Sequence, residues 1–187
     1  MSPVGPINLI KGGFVQLDPI TGIVLRLIAF QYNPETLTRR LDVIAAPPPS
    51  PPPPPREVIS FTVSFDAADK LEVGDTAAQQ FGILPTLAAL QVMLSSSPTS
   101  LIVWVSGNKR IVPVRITEMQ FVEQAFHPNL NPIRADVVIT QVVLGDQDFT
   151  KDSRGRALVD AYLNTLQQLA QLEASDVSLA SLGLTEI

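Results

Sequence analysis

The sequence contains no cysteine, one histidine and one tryptophan among its 187 residues. Without thiols there is no disulfide framework, no thiolate nucleophile and no thiolate metal site. A lone histidine cannot assemble any common zinc site, and His127, set in Phe126-His127-Pro128-Asn129, reads as a loop residue. Charge is sparse as well: 13 basic against 18 acidic residues leave a net charge of −5 and an isoelectric point near 4.8. An acidic surface disfavours nucleic acid and anionic lipid as partners. The longest apolar stretches, Ile23 to Phe30 and Leu101 to Val105, are strand-sized and fall short of the roughly 20 residues a spanning helix requires. Met1 to Ile7 carries no basic cluster followed by an apolar run and a cleavage site, so no signal peptide is expected, nor direct membrane insertion. The expectation is a protein made in the cytoplasm.

Signals of chemistry are equally scarce. Neither of the glycine-rich phosphate cradles GxGxxG and GxxxxGK[ST] occurs, and the GxSxG of a serine nucleophile elbow is absent. Paired carboxylates, Asp66 with Asp69 and Asp146 with Asp148, lie in polar stretches and lack the DxDxDG calcium pattern with its distal glutamate. The expectation is therefore a non-catalytic protein without a cofactor or a metal.

What is present is apolar residue, 45% of the chain, in patterns that alternate. Ile59, Phe61, Val63 and Phe65 fall on one face of a strand from Glu57 to Asp66, with Ser60, Thr62 and Ser64 on the other. The segment Gly22 to Tyr32 is apolar on both faces and reads as a central, doubly covered strand. Leu101–Val105 and Arg110–Phe121, joined through Gly107-Asn108-Lys109, form a hairpin, and Ile133–Leu144 supplies a further long strand. Ile7 to Leu17 reads as a first strand or strand pair. Between the strands, Ile83, Leu87, Leu90 and Leu94 have helical spacing, with Pro85 either starting or kinking the helix.

Ala46 to Arg56 holds eight prolines, a polyproline II segment rising about 3.1 Å per residue and so reaching roughly 30 Å. After a polar hinge from Asp146 to Arg156, Leu158, Tyr162, Leu166 and Leu169 recur on one face of a last, amphipathic helix. That face either lies on its own domain or serves a partner. The tail from Ala174 to Ile187 is a short helix or disordered. The chain thus divides into 1–145, a β domain with an insert at 46–56, and 146–187, a helical extension. Strands apolar on both faces with so little charge suit a subunit covered by neighbours.

Two segments resemble one family. Phe30-Gln31-Tyr32-Asn33-Pro34-Glu35-Thr36-Leu37 is similar to an aromatic-x-aromatic-Asn-Pro-x-x-Leu signature of contractile injection system tube and baseplate proteins. Phe126-His127-Pro128-Asn129-Leu130-Asn131-Pro132-Ile133-Arg134-Ala135 resembles that family's later motif, with the Phe61 to Phe65 strand between the two. The resemblance spans about Ile7 to Gly145. It implies a mainly β, α+β fold: an antiparallel split β-barrel or sandwich of tube-protein type, with a flanking helix and here a C-terminal amphipathic helix. It also implies a hexameric ring acting as a tube initiator or adaptor between spike hub and inner tube, within a contractile particle and beside other baseplate components. Phe30, Tyr32, Asn33, Pro34, Leu37, Phe61, Phe65, Phe126, Leu130, Pro132 and Arg134 then become packing or interface residues. The chain departs from many relatives in having no room for a LysM module after Gly145, and in its proline insert. Two other readings stand beside this one: the bulk inner tube protein, and a soluble scaffold module recruiting partners through its proline arm.

Overall fold

The computed structural model describes residues 10–43, 54–95 and 100–173. Alternation of apolar and polar side chains makes most of it sheet. The strands are β1 (Gly13–Leu17), β2 (Val24–Ala29), β3 (Leu37–Asp42), β4 (Arg56–Asp66), β5 (Leu101–Val105), β6 (Ile111–Phe126) and β7 (Pro132–Val143). They form one antiparallel sheet of seven in the order β2-β1-β5-β6-β7-β4-β3. The helices among the described residues are α1 (Ala68–Glu72), α2 (Thr76–Phe81), α3 (Leu84–Ser95) and α4 (Arg154–Glu173). The fold is mainly β with helices, and the sheet does not close.

The sheet is nonetheless rolled. Phe14 on β1 and Phe61 on β4 are four strand positions apart, about 19 Å in a flat sheet at 4.8 Å per strand. Their ring centroids are 6.4 Å apart. Phe61 also stacks on Trp104 of β5 at 5.5 Å, and Phe30 lies 5.4 Å from Phe14 and 5.8 Å from Phe61. Four aromatic rings therefore fill the concave side, with Ile59, Val63, Val112, Val137 and Ile139 buried around them. Curling brings the inward faces of distant strands together and removes apolar area that no flat seven-stranded sheet of this size could cover by itself.

The strand expected to be central is not. Among the described residues β2 is a terminal strand, paired with β1 alone, and only Ile28 on it is buried. Two apolar faces indicate that a strand wants cover and say nothing of where in the sheet it lies. A strand was also missed: Leu37–Asp42, for which the sequence predicts no strand, pairs along its whole length with β4. Its own side chains, Leu-Thr-Arg-Arg-Leu-Asp, carry no clean alternation, and the ladder to β4 decides its conformation. Most of the proline-rich insert lies outside the described residues. Its flanks, Asp42 and Arg56, are register partners, so the chain leaves and re-enters the sheet at one place. The tail from Ala174 and the first nine residues also lie outside the described residues.

Helix α3 begins at Leu84, which places Pro85 in the first turn, where a missing N–H costs nothing. Gly82 separates it from α2 with φ +58°, and a Cβ there would collide with the Pro132 carbonyl oxygen. The polar stretch Ala67 to Thr76 contains α1. The polar hinge after β7 is a single 3-10 turn at Asp146–Asp148, tied by Arg156 to Asp146 at 3.4 Å and by Arg115 to Asp148 at 3.4 Å. Ion pairs so exposed add little individually.

Candidate functional site

The first signature segment makes the connection from β2, at one end of the sheet, to β3, at the other. Phe30 enters the aromatic core and Leu37 packs against it. Asn33 fastens the crossing: its side-chain oxygen accepts from the Gly12 N–H at 2.8 Å and its amide donates to the Ile10 carbonyl at 2.9 Å. A short amide that satisfies both groups of a neighbouring chain explains asparagine at this position. Asn33→Ala is expected to destabilise the fold by about 1–2 kcal/mol, measured as a lower urea midpoint with an unchanged slope. The side chain of Tyr32 stays half exposed.

The second signature segment closes the β6–β7 hairpin. The His127 N–H donates to the Asn131 carbonyl at 2.9 Å and the Leu130 N–H to the His127 carbonyl at 2.7 Å. His127 Nδ1 accepts from the Asn129 N–H at 3.4 Å, which gives the single histidine a place in the turn. Pro132 is buried and its carbonyl accepts from the Ile83 N–H at 2.9 Å. Phe126 and Leu130 remain exposed.

Parts of the two segments meet. Gln31 accepts from the Asp66 N–H at 2.9 Å, and Asp66 is the register partner of Arg134. Tyr32, Asn33, Pro34, Phe61 and Arg134 contribute to an open groove of about 860 Å³ along β3, β4 and β7. Its wall is polar: Ser64 Oγ donates to Asp136 at 2.6 Å and Gln124 donates to the same carboxylate at 2.9 Å. Phe126, Leu130 and Pro132 are not part of it, and Phe65 is buried on the other face of β4. Among the described residues no three His, Cys, Asp or Glu side chains are placed to hold a metal ion. No described helix is long and apolar enough to cross a membrane.

Two features with partner-binding geometry stand at the ends of the sheet. Among the described residues β2 and β3 each pair on one side only, so each presents there a row of backbone donors and acceptors with no strand beside it. On β2 the exposed row is also apolar: Val24 and Leu25 are 54% exposed and Leu27 64%. The polar guards common on edge strands are absent there except for Arg26, which reaches the Ala89 carbonyl at 3.4 Å.

Helix α4 is only half a packing element. Val159 and Tyr162 are buried against the sheet and Leu158 partly so, whereas Leu166 and Leu169 are exposed. The stripe anticipated from the sequence is therefore split: its first turns lie on the chain's own core, and its last turns face outward. What holds the first turns is a cluster that sequence reading missed. Glu57, buried on β4, accepts from Arg39 Nε at 2.7 Å and from the Tyr162 hydroxyl at 3.0 Å. Burial and the adjacent Glu57 carboxylate raise the Tyr162 phenol above its ordinary range, and the hydrogen bond to Glu57 raises the Arg39 guanidinium. One signal was available: Glu57 is two residues before Ile59, on the inward face of its strand.

A scan against protein-family models matches none, and a search of curated proteins finds no significant match.

Proposed function

We propose that the chain is a structural ring subunit of a contractile injection apparatus, an adaptor on which an inner tube starts above a spike hub. The resemblance of Phe30–Leu37 and Phe126–Ala135 to that family's motifs supports the apparatus. The observation that carries the ring is the pair of sheet edges left unpaired among the described residues, one of them lined by exposed Val24, Leu25 and Leu27. The two edges differ, so contacts through them are heterologous, and such contacts close into a ring when the rotation between neighbours allows it. Burying these three side chains contributes about 1.5–3 kcal/mol each for those that become fully covered. The role is mechanical and non-catalytic, and the partners are identical copies, hub and tube.

A lysine on the edge tests this. Leu27→Lys is expected to leave the melting temperature of the subunit unchanged while ring-shaped particles disappear from negative-stain images and the mass by light scattering falls to that of one chain. A wild-type chain that stays monomeric at high concentration, even with hub and tube proteins present, overturns the proposal.

A further inference from the structure

We infer that the open groove over β3, β4 and β7 is a binding site for an uncharged oligosaccharide, with Tyr32 as the surface on which a sugar ring stacks. The inference goes beyond the ring and does not depend on it, since the groove lies on a face of the sheet and the ring contacts lie at its edges.

The floor of the groove follows from strand alternation. Phe61, Val63 and Phe65 are buried in the core, so Ser60, Thr62, Ser64 and Asp66 form one row on the opposite face of β4. Register extends that row sideways: Thr38 lies beside Ser60 on β3, and Val138, Asp136 and Arg134 lie beside Thr62, Ser64 and Asp66 on β7. The link that follows β2, Tyr32 to Thr36, contributes the remaining lining. From Ser60 to Asp66 the strand rises about 20 Å, and β3 to β7 is about 10 Å, room for a chain of roughly three hexose rings. The volume of about 860 Å³ falls within the range of about 300–1,000 Å³ common to ligand sites.

The lining decides the class of ligand. Three carboxylates, Glu35, Asp66 and Asp136, stand against one guanidinium, Arg134, which disfavours an anion. A metal ion is disfavoured too: the two Asp136 oxygens accept separately from Ser64 and Gln124, and no three metal-ligating side chains come together among the described residues. An apolar ligand meets only Pro34 and Val138, because Phe61 is buried. A peptide strand is held by unpaired backbone donors and acceptors, and β4 and β7, which make the floor, are paired on both sides.

Hydroxyl chemistry is what the groove has to offer. The side chains of Thr36, Thr38 and Thr62 make no hydrogen bond among the described residues, and Arg134 makes neither a hydrogen bond nor an ion pair there. A hydroxyl both donates and accepts, and the guanidinium fork spans two neighbouring oxygens, so these groups match a ligand built of adjacent hydroxyls. A sugar ring also carries an apolar C–H face that suits the negative face of an aromatic ring. Tyr32 is half exposed in the lining and supplies that ring. A polar sheet face of a small barrel is one of the surfaces on which oligosaccharides are bound.

The full-length chain tests the site, with cellotriose, maltotriose and triacetylchitotriose as probes. Saturation-transfer NMR is expected to show saturable binding of at least one of them at millimolar concentration. Tyr32→Ala and, separately, Thr62→Val are expected to weaken that binding at least tenfold while the melting temperature holds, and Tyr32→Phe, which keeps the ring, to retain it. Absence of saturable binding by all three sugars overturns the proposal, and so does binding that either Tyr32→Ala or Thr62→Val leaves unchanged. A trilysine peptide that binds more tightly than every sugar gives the groove to basic peptides and overturns it equally. Each of these results leaves the ring standing, which fails on the association state of the chain instead.

Discussion

Phe61→Ala is expected to destabilise the subunit by about 3–5 kcal/mol. Phe61 is the ring at which the curled halves of the sheet meet, stacked on Trp104 and in contact with Phe14 and Phe30. Its removal leaves a void between elements from both ends of the sheet order, and neither can relax into it without flattening the curl. Aromatic pairs contribute about 0.5–1.5 kcal/mol beyond the area they bury, so the upper half of the range is expected. Urea denaturation followed through Trp104 emission measures it. A loss below 1 kcal/mol would show that the aromatic cluster does not hold the two halves together.

Tyr162→Ala is expected to cost about 3–5 kcal/mol as well, for the lost ring and the hydroxyl that Glu57 accepts from. Tyr162→Phe separates the two parts, with about 1.5–3 kcal/mol expected for a hydrogen bond to a charged acceptor. Helix α4 is attached through few buried residues, so both variants should loosen it before the rest unfolds, with earlier hydrogen exchange across Arg154–Glu173 than in the sheet. The sign of the pH dependence follows from the raised phenol. Below an unfolded-state value of about 10 both states hold the proton, and the contribution is complete. Above it the unfolded chain releases the proton first, so stability falls as pH rises towards the higher folded value. The wild type minus Tyr162→Phe difference should therefore shrink above about pH 10; a difference that grows there would contradict the geometry of Glu57 and Tyr162.

Much of this architecture was legible in the sequence. The alternation of Ile59, Phe61, Val63 and Phe65 marked β4 and its inward face. Gly107-Asn108-Lys109 marked the hairpin of β5 and β6, and of the two places Pro85 allowed, a helix start or a kink, the structure takes the start. Each is a local signal in which backbone stereochemistry or a two-residue period acts within a few residues. The last strand was read to within a residue of its bounds for the same reason. β3 escaped because its ladder partner, not its own pattern, makes it a strand.

The sequence by itself determined that the chain forms amphipathic strands and helices, since period and turn chemistry are properties of neighbouring residues. The tertiary structure alone decided which strands are terminal, and so which apolar faces are left open. The doubly apolar β2 became an edge, and half of α4 was left facing outward. Cover for an apolar face comes from residues distant along the chain or from another molecule, and no local period records which.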